Sequence, residues 1–252
     1  MATQSRVSCD RLNVISLPLL CGPEKRMCGR FTLRNPERIR ISDFDYYDLN
    51  NLIPRYNIAP TQDVLTVGQR DSVREGRLLQ WGLIPFWSSE PKGIINARVE
   101  TIDEKPSFKE SFEKRRCLIL ADGFYEWERN GKISQPYYFQ LKDTAPFAFA
   151  GVWDRWRDEN REIKSCAIIT TTANDLLATI HTRMPVILRP ESYDLWLNEN
   201  SRAADLKDLL IPFPADEMMS HAVSYEVNDA KVDHEGLLRQ VEPNIGANLR
   251  LF

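Results

Sequence analysis

The stretch Cys117-Leu118-Ile119-Leu120-Ala121-Asp122-Gly123-Phe124-Tyr125-Glu126-Trp127 decides how the rest of the chain is read. An apolar run, an Asp-Gly break and a second run rich in aromatics predict two successive strands, near 115–121 and 124–129, with no helix between them. The same grammar continues in both directions from Phe31 onward, where short apolar runs are cut by Pro, Gly, Asn and Asp clusters. It predicts strands near 28–33, 62–68, 77–83, 94–99, 136–141, 147–153, 163–171, 185–188 and 221–227. Helices fit at 106–114, with Pro106 at a first helical position and Phe108 and Phe112 four apart, and at 174–180 behind Asn174 as cap. Two more fit at 190–199 and 202–210. Helix and strand do not alternate, which excludes a doubly wound sheet and leaves a single α+β domain rich in β-structure.

Composition bounds the function. The 252 residues are 42% apolar and 27% charged, so the chain is globular and long enough to bury its core without disulfides. Lys and Arg number 33 against 36 Asp and Glu, a net charge of −3, so nucleic acid could be held only by a local basic groove. Five cysteines with no CxxC spacing and three histidines argue against a zinc site or a disulfide framework. No stretch reaches the ~18 apolar residues of a membrane span, and Asn13–Leu20 is short and holds Pro18. These features predict a cytoplasmic protein, or a nucleoid-associated one if bacterial, that needs no metal or organic cofactor.

Residues 1–26 lack a clean period and end in Gly22-Pro23 and Lys25-Arg26 just before Met27. They read as an extension from a start assigned upstream of Met27, with a removable segment or a loose tail as the alternatives. The domain is expected over 27–240, with a tail at 241–252.

Several positions have chemistry in them. Cys28 follows Met27 directly; exposed as the first residue, it would set an α-amine of pKa ~8 beside a thiol of pKa ~8.5, a 1,2-aminothiol that condenses with aldehydes. The other reading of Cys28 is a buried structural cysteine. In Ile95-Asn96-Ala97-Arg98-Val99, a period of two puts Asn96 and Arg98 on one strand face; the alternative is a solvated face. Glu126, set among Phe124, Tyr125 and Trp127, would have a raised pKa if it points inward and could then exchange protons near neutrality; the alternative is an exposed edge position. His181 stands where a helix ends ahead of Pro185, with Arg183 two residues on, and can titrate or merely cap carbonyls. Phe86 and Trp87 close a proline-stiffened segment and could stack on unpaired bases or belong to the core.

Taken in order, these segments resemble the SOS-response-associated peptidase (SRAP) family of abasic-site processing proteins. The resemblance rests on Met27-Cys28-Gly29-Arg30-Phe31, Arg55-Tyr56-Asn57-Ile58-Ala59-Pro60-Thr61, Trp81 to Trp87, Asn96-Ala97-Arg98-Val99-Glu100-Thr101, Ala121 to Trp127, Thr170 to Asn174, His181 to Pro185, and Val223 to Asn228. It implies a β-rich pseudo-barrel with peripheral helices that binds single-stranded DNA containing abasic sites, or single-strand/duplex junctions; nothing in the sequence demands more than a monomer. It further implies a DNA-repair role in which an N-terminal Cys28 forms a covalent thiazolidine crosslink with the opened sugar. Cys28, Asn96, Glu126 and His181 match the family's catalytic positions. Arg98 and Arg183, joined by Arg30, match phosphate contacts, and Phe86 and Trp87 match the stacking position. The family's older name implies autoproteolytic release of what precedes Cys28, and a lyase side reaction would use the same imine. Two rival functions are a cysteine peptidase built on Cys28, His181 and Asn96, and a non-covalent reader of modified or single-stranded DNA.

Overall fold

The structure is a computed structural model that describes residues 29–39, 52–70, 73–130 and 133–243. Position 28 and most of the expected extension and tail therefore lie outside the described residues.

In chain order the strands are β1 (Arg30–Leu33), β2 (Arg55–Ile58), β3 (Asp63–Arg70), β4 (Val73–Trp81), β5 (Asn96–Arg98), β6 (Arg116–Ala121) and β7 (Gly123–Asn130). They continue with β8 (Ile133–Leu141), β9 (Phe147–Arg157), β10 (Glu162–Thr172), β11 (Arg183–Pro185), β12 (Ile187–Leu188) and β13 (Met218–Ala222). Four short helices accompany them: α1 (Lys109–Lys114), α2 (Asp175–Ala178), α3 (Tyr193–Leu197) and α4 (Ala203–Lys207). The architecture is α+β and β-rich. Strands β4, β3, β6, β9 and β10 pair in that order, and β10 returns to β4 through the parallel register Cys166↔Trp81, closing a five-stranded barrel. A second sheet, ordered β13-β8-β7-β1-β2, is antiparallel throughout.

The two sheets are joined at Asp122, the one residue between β6 in the barrel and β7 in the second sheet. Its buried carboxylate accepts from the Thr32 hydroxyl at 2.6 Å and from the backbone N–H groups of Arg34 and Asn35, at 2.7 and 3.0 Å. Burial pushes its pKa up, and those donors oppose the rise. Gly123 is obligatory at this corner, because a Cβ there would lie 2.0 Å from the Tyr138 hydroxyl. Apolar faces meet across the sheets, where Phe31 of β1 packs edge-on to Trp81 at 5.1 Å and to Phe149 at 5.7 Å between ring centroids; within the second sheet Phe124 stacks on its ladder partner Phe139 at 5.2 Å. All five rings are fully buried, each contributing roughly 1.5–3 kcal/mol.

Differences from the sequence reading have local causes. Strand β2 was not expected, because Arg55-Tyr56-Asn57-Ile58 is short and gains its partner from β1, far away in sequence. The expected helix at 106–114 begins at Lys109, and Pro106 sits in the turn before it. The strand expected at 221–227 lies earlier, as β13, because the Ser224 side chain accepts from Glu226 N–H and starts a 3-10 turn at Tyr225–Asn228. The Asn174 cap is as expected, its side chain accepting from Leu177 N–H at 3.0 Å. Among the described residues no helix is long and apolar enough to cross a membrane, and no cluster of three or more His, Cys, Asp or Glu is arranged to hold a metal.

Candidate functional site

Strand β10 is the platform of the site. Its barrel half pairs with β4 as far as Cys166 and with β9 as far as Ile168; from Ile168 onward it pairs with β5, and beyond Ile169 with β11. Register then fixes three side-chain positions: Asn96 opposite Ile168, Arg98 opposite Thr170, and Arg183 opposite Thr172. Alternation along β5 buries Ala97 completely and turns Asn96 and Arg98 outward, as the period of two predicts.

They open onto a cavity of about 1100 Å³ whose wall includes Gly29, Arg30, Trp87, Asn96, Arg98, Trp127, Thr170, His181 and Arg183. Glu126 on β7 sits one layer beneath this wall, 3% exposed, with Oε1 3.7 Å from His181 Nδ1. The same Nδ1 accepts the backbone N–H of Arg183 at 3.1 Å, so the neutral ring has its proton on Nε2. A buried carboxylate within 4 Å of an imidazole sets two groups able to exchange protons side by side at this wall.

The arginines divide by availability. Arg98 is exposed at the cavity mouth. Arg183 is held in a bidentate pair by Glu100, at 2.6 and 2.9 Å, and also donates to Thr170 O at 2.6 Å. Hydrogen bonding to Arg183 is the main cause holding the Glu100 carboxyl below its ordinary pKa. Arg30 lines the cavity, yet its Nη atoms donate to Asn57 Oδ1 at 2.9 Å, to Val227 O and to Asn228 O. Burial lowers its pKa, opposed by Asp229.

Of the aromatic pair, Trp87 lines the cavity and Phe86 faces away into a different one; both are about half exposed, at 54% and 52%. Trp81 from the same segment is core, donating its indole N–H to Ile95 O at 3.0 Å. The thiols of Cys117 and Cys166 are fully buried, and desolvation pushes both pKa values up, so they stay protonated and inert. Cys28 lies outside the described residues.

The sequence reading did not single out Glu100, Trp127, Thr170 or Asn57 as site residues. For Glu100 the signal was weak: it stands past the end of β5, in the 3-10 turn Val99–Thr101, where the period of two no longer applies. Asn57 had none, because its partners are the carbonyls of Val227, Asp229 and Val232, more than 160 residues away.

Residues 27–230 match the family SOS response associated peptidase (SRAP). The chain belongs to the SRAP family. It is 41% identical over 221 residues to the abasic site processing protein YoaM of Bacillus subtilis, covering 84% of this chain and 97% of that one. It is 29% identical over 229 residues to the abasic site processing protein YedK of Escherichia coli, covering 85% and 100%. To the abasic site processing protein HMCES of Xenopus tropicalis it is 32% identical over 228 residues, covering 76% and 66%. A crystal structure of a protein from Bacteroides thetaiotaomicron superposes with a TM-score of 0.75 at 28% identity, over 85% of this chain and all of the other. The pseudo-barrel expected from the SRAP resemblance is the fold observed.

Proposed function

We propose that this SRAP-family chain is a DNA-repair protein that processes abasic sites in single-stranded DNA, capturing the opened sugar through Cys28. The observation that carries the reading is the convergence of Asn96, Arg98, His181 and Arg183 on one cavity wall that also holds Gly29, the residue to which Cys28 is joined by one peptide bond. Relatives spanning nearly the whole domain are named for the same substrate.

The chemistry balances with these groups alone. The free α-amine of Cys28 adds to the C1′ aldehyde of the opened sugar; loss of water gives the imine, and the thiolate then adds to the imine carbon and closes a five-membered thiazolidine. Each step moves a proton, and the Glu126–His181 pair is placed to take and return it. Asn96 orients the sugar or the amine by its amide. Arg98 meets a backbone phosphate, and Arg183 does so by exchanging Glu100 for it. Trp87 stacks on a neighbouring base, while Arg30 holds β1 in place. A peptide-bonded nitrogen cannot form the imine, so activity requires cleavage between Met27 and Cys28, by the chain itself or by another enzyme. With this reading a cytoplasmic location is expected, nucleoid-associated if the source is bacterial.

The test is denaturing electrophoresis of a chain started at Met27 with single-stranded DNA carrying one abasic site, beside Cys28→Ala. A detergent-resistant shifted band, absent from the variant, supports covalent capture. No shift from a chain whose free N-terminal Cys28 is verified by mass spectrometry refutes it. Mass analysis of the full-length chain over time separates self-cleavage from processing by another enzyme, and strand incision without a shifted band identifies a lyase.

A further inference from the structure

A second cavity, of about 870 Å³, lies beyond the Pro85–Ser88 segment, with Phe86 on its wall and Trp87 on the wall of the first. The ridge between them is fixed to β9: Phe86 N–H donates to Asp154 Oδ2 at 3.0 Å, and the Trp156 indole N–H donates to Ser88 O at 2.8 Å. The same strand sends Arg155 and Arg157 into the second cavity, joined there by Lys114 and Lys164. In a chain of net charge −3, this basic concentration is local.

Several of its basic groups have partners within the fold, Arg77 with Glu75 among them. Arg116 donates to the carbonyls of Trp196, Phe112, Glu113 and Asn198, and Arg115 pairs with Glu110 and Asp154. Arg155 and Lys164 differ. They are exposed and stand directly opposite one another in the β9–β10 ladder, where like charges oppose folding. The next pair outward, Arg157 and Glu162, has the favourable sign, and Glu162 Oε1 also lies 3.8 Å from Lys164 Nζ, so one carboxylate is shared among these basic groups. A fold that gathers Arg155, Arg157 and Lys164 around one carboxylate at the mouth of a cavity, beside a half-exposed phenylalanine, leaves a net positive charge there for which a polyanion is the natural partner.

We propose that this second cavity binds the sugar-phosphate backbone of the DNA flank that leaves the reactive cavity over the Phe86–Trp87 ridge, with Arg155, Lys164 and Lys114 as its phosphate contacts. The inference rests on the DNA-binding reading above and extends its footprint.

The experiment measures equilibrium binding of the full-length chain in a Cys28→Ala background, which keeps binding reversible. The abasic oligonucleotides are about 4 nucleotides or about 16 nucleotides long. The long ones are extended 5′ or 3′, with the flank single-stranded or annealed. A slope of about 0.7 in log K per phosphate on single strands corresponds to about fivefold at 0.1 M salt for each lost contact. Arg155→Glu and Lys164→Ala are each expected to weaken the long oligonucleotide by about fivefold or more and flatten its salt dependence, leaving the short one unchanged. Arg155→Glu sets a carboxylate opposite Lys164 but also near Glu162, so its Tm is expected to stay close to that of the wild type, which separates lost binding from lost fold. Selective loss with the annealed flank identifies duplex backbone, and loss with the unpaired flank identifies single strand. Equal effects on both lengths, or none, overturn the second groove even if an acidic peptide binds there. Wild-type chain that binds neither length overturns both this proposal and the reading beneath it.

Discussion

Asn57→Ala tests how the site is held. Asn57 is fully buried, and its side-chain N–H₂ faces three carbonyls, Val232 at 2.7 Å, Asp229 at 3.0 Å and Val227 at 3.3 Å, while its Oδ1 accepts from Arg30 at 2.9 Å. The group has two hydrogens to give, so truncation removes two donated bonds and one accepted bond. At about 1 kcal/mol net each, the loss is about 3 kcal/mol, or about 6–12 °C in Tm for a domain of this size. The damage should be local as well as global, because the same amide ties β1, which leads back to Gly29, to the 3-10 turn at Tyr225–Asn228. Calorimetry gives the Tm, and hydrogen exchange should show β1 and residues 225–232 losing protection before β3, β6 and β9 do. Asn57→Asp is the deciding control: it keeps an acceptor for Arg30 and turns a carboxylate toward three carbonyls, so it should be no better than alanine. A Tm drop under about 2 °C for alanine, or recovery with aspartate, would refute the assignment of Asn57 as a donor-based latch.

Glu100→Gln should loosen Arg183. The Glu100 pKa is depressed in the fold, so its stabilisation is present above the unfolded carboxyl pKa of about 4.3 and lost as pH falls through the depressed value; unfolding curves across that range should be flatter in the variant. Gly123→Ala drives a methyl into the Tyr138 side chain and should cost about 1–3 kcal/mol or more by chemical denaturation, whereas the same substitution measured against Tyr138→Ala alone should cost much less. Thiol reagents at pH 8 should leave the Cys117 and Cys166 peptides unmodified in the native protein and label both in denaturant, as read by peptide mapping; native labelling of either would contradict their burial.

Legibility varied with the range of the interaction. Strand positions along β3, β6, β9 and β10 could be read because apolar runs report local burial. So could the shared face of Asn96 and Arg98, because a period of two is a property of the backbone. Helix α2 announced itself through the Asn174 cap. The fates of Trp81, Phe86 and Trp87 could not be told apart. They lie within seven residues, and Gly82, at φ 128°, ends β4 just after the buried Trp81, so the chain carries the other two to the surface.

The order and spacing of residues determined the β-rich class, the family, and most of the polar groups that meet at the cavity, since each follows from local periodicity or from motifs in series. Tertiary structure alone decided that Glu126 lies 3.7 Å from His181, that Arg183 is clasped by Glu100 while Arg98 faces the cavity, and that Phe86 belongs to a different basin from Trp87. Those outcomes depend on how β10 parts from its barrel neighbours and on which distant carbonyls Asn57 and Arg30 reach. Such contacts join segments far apart in the chain, and local sequence pattern carries no record of them.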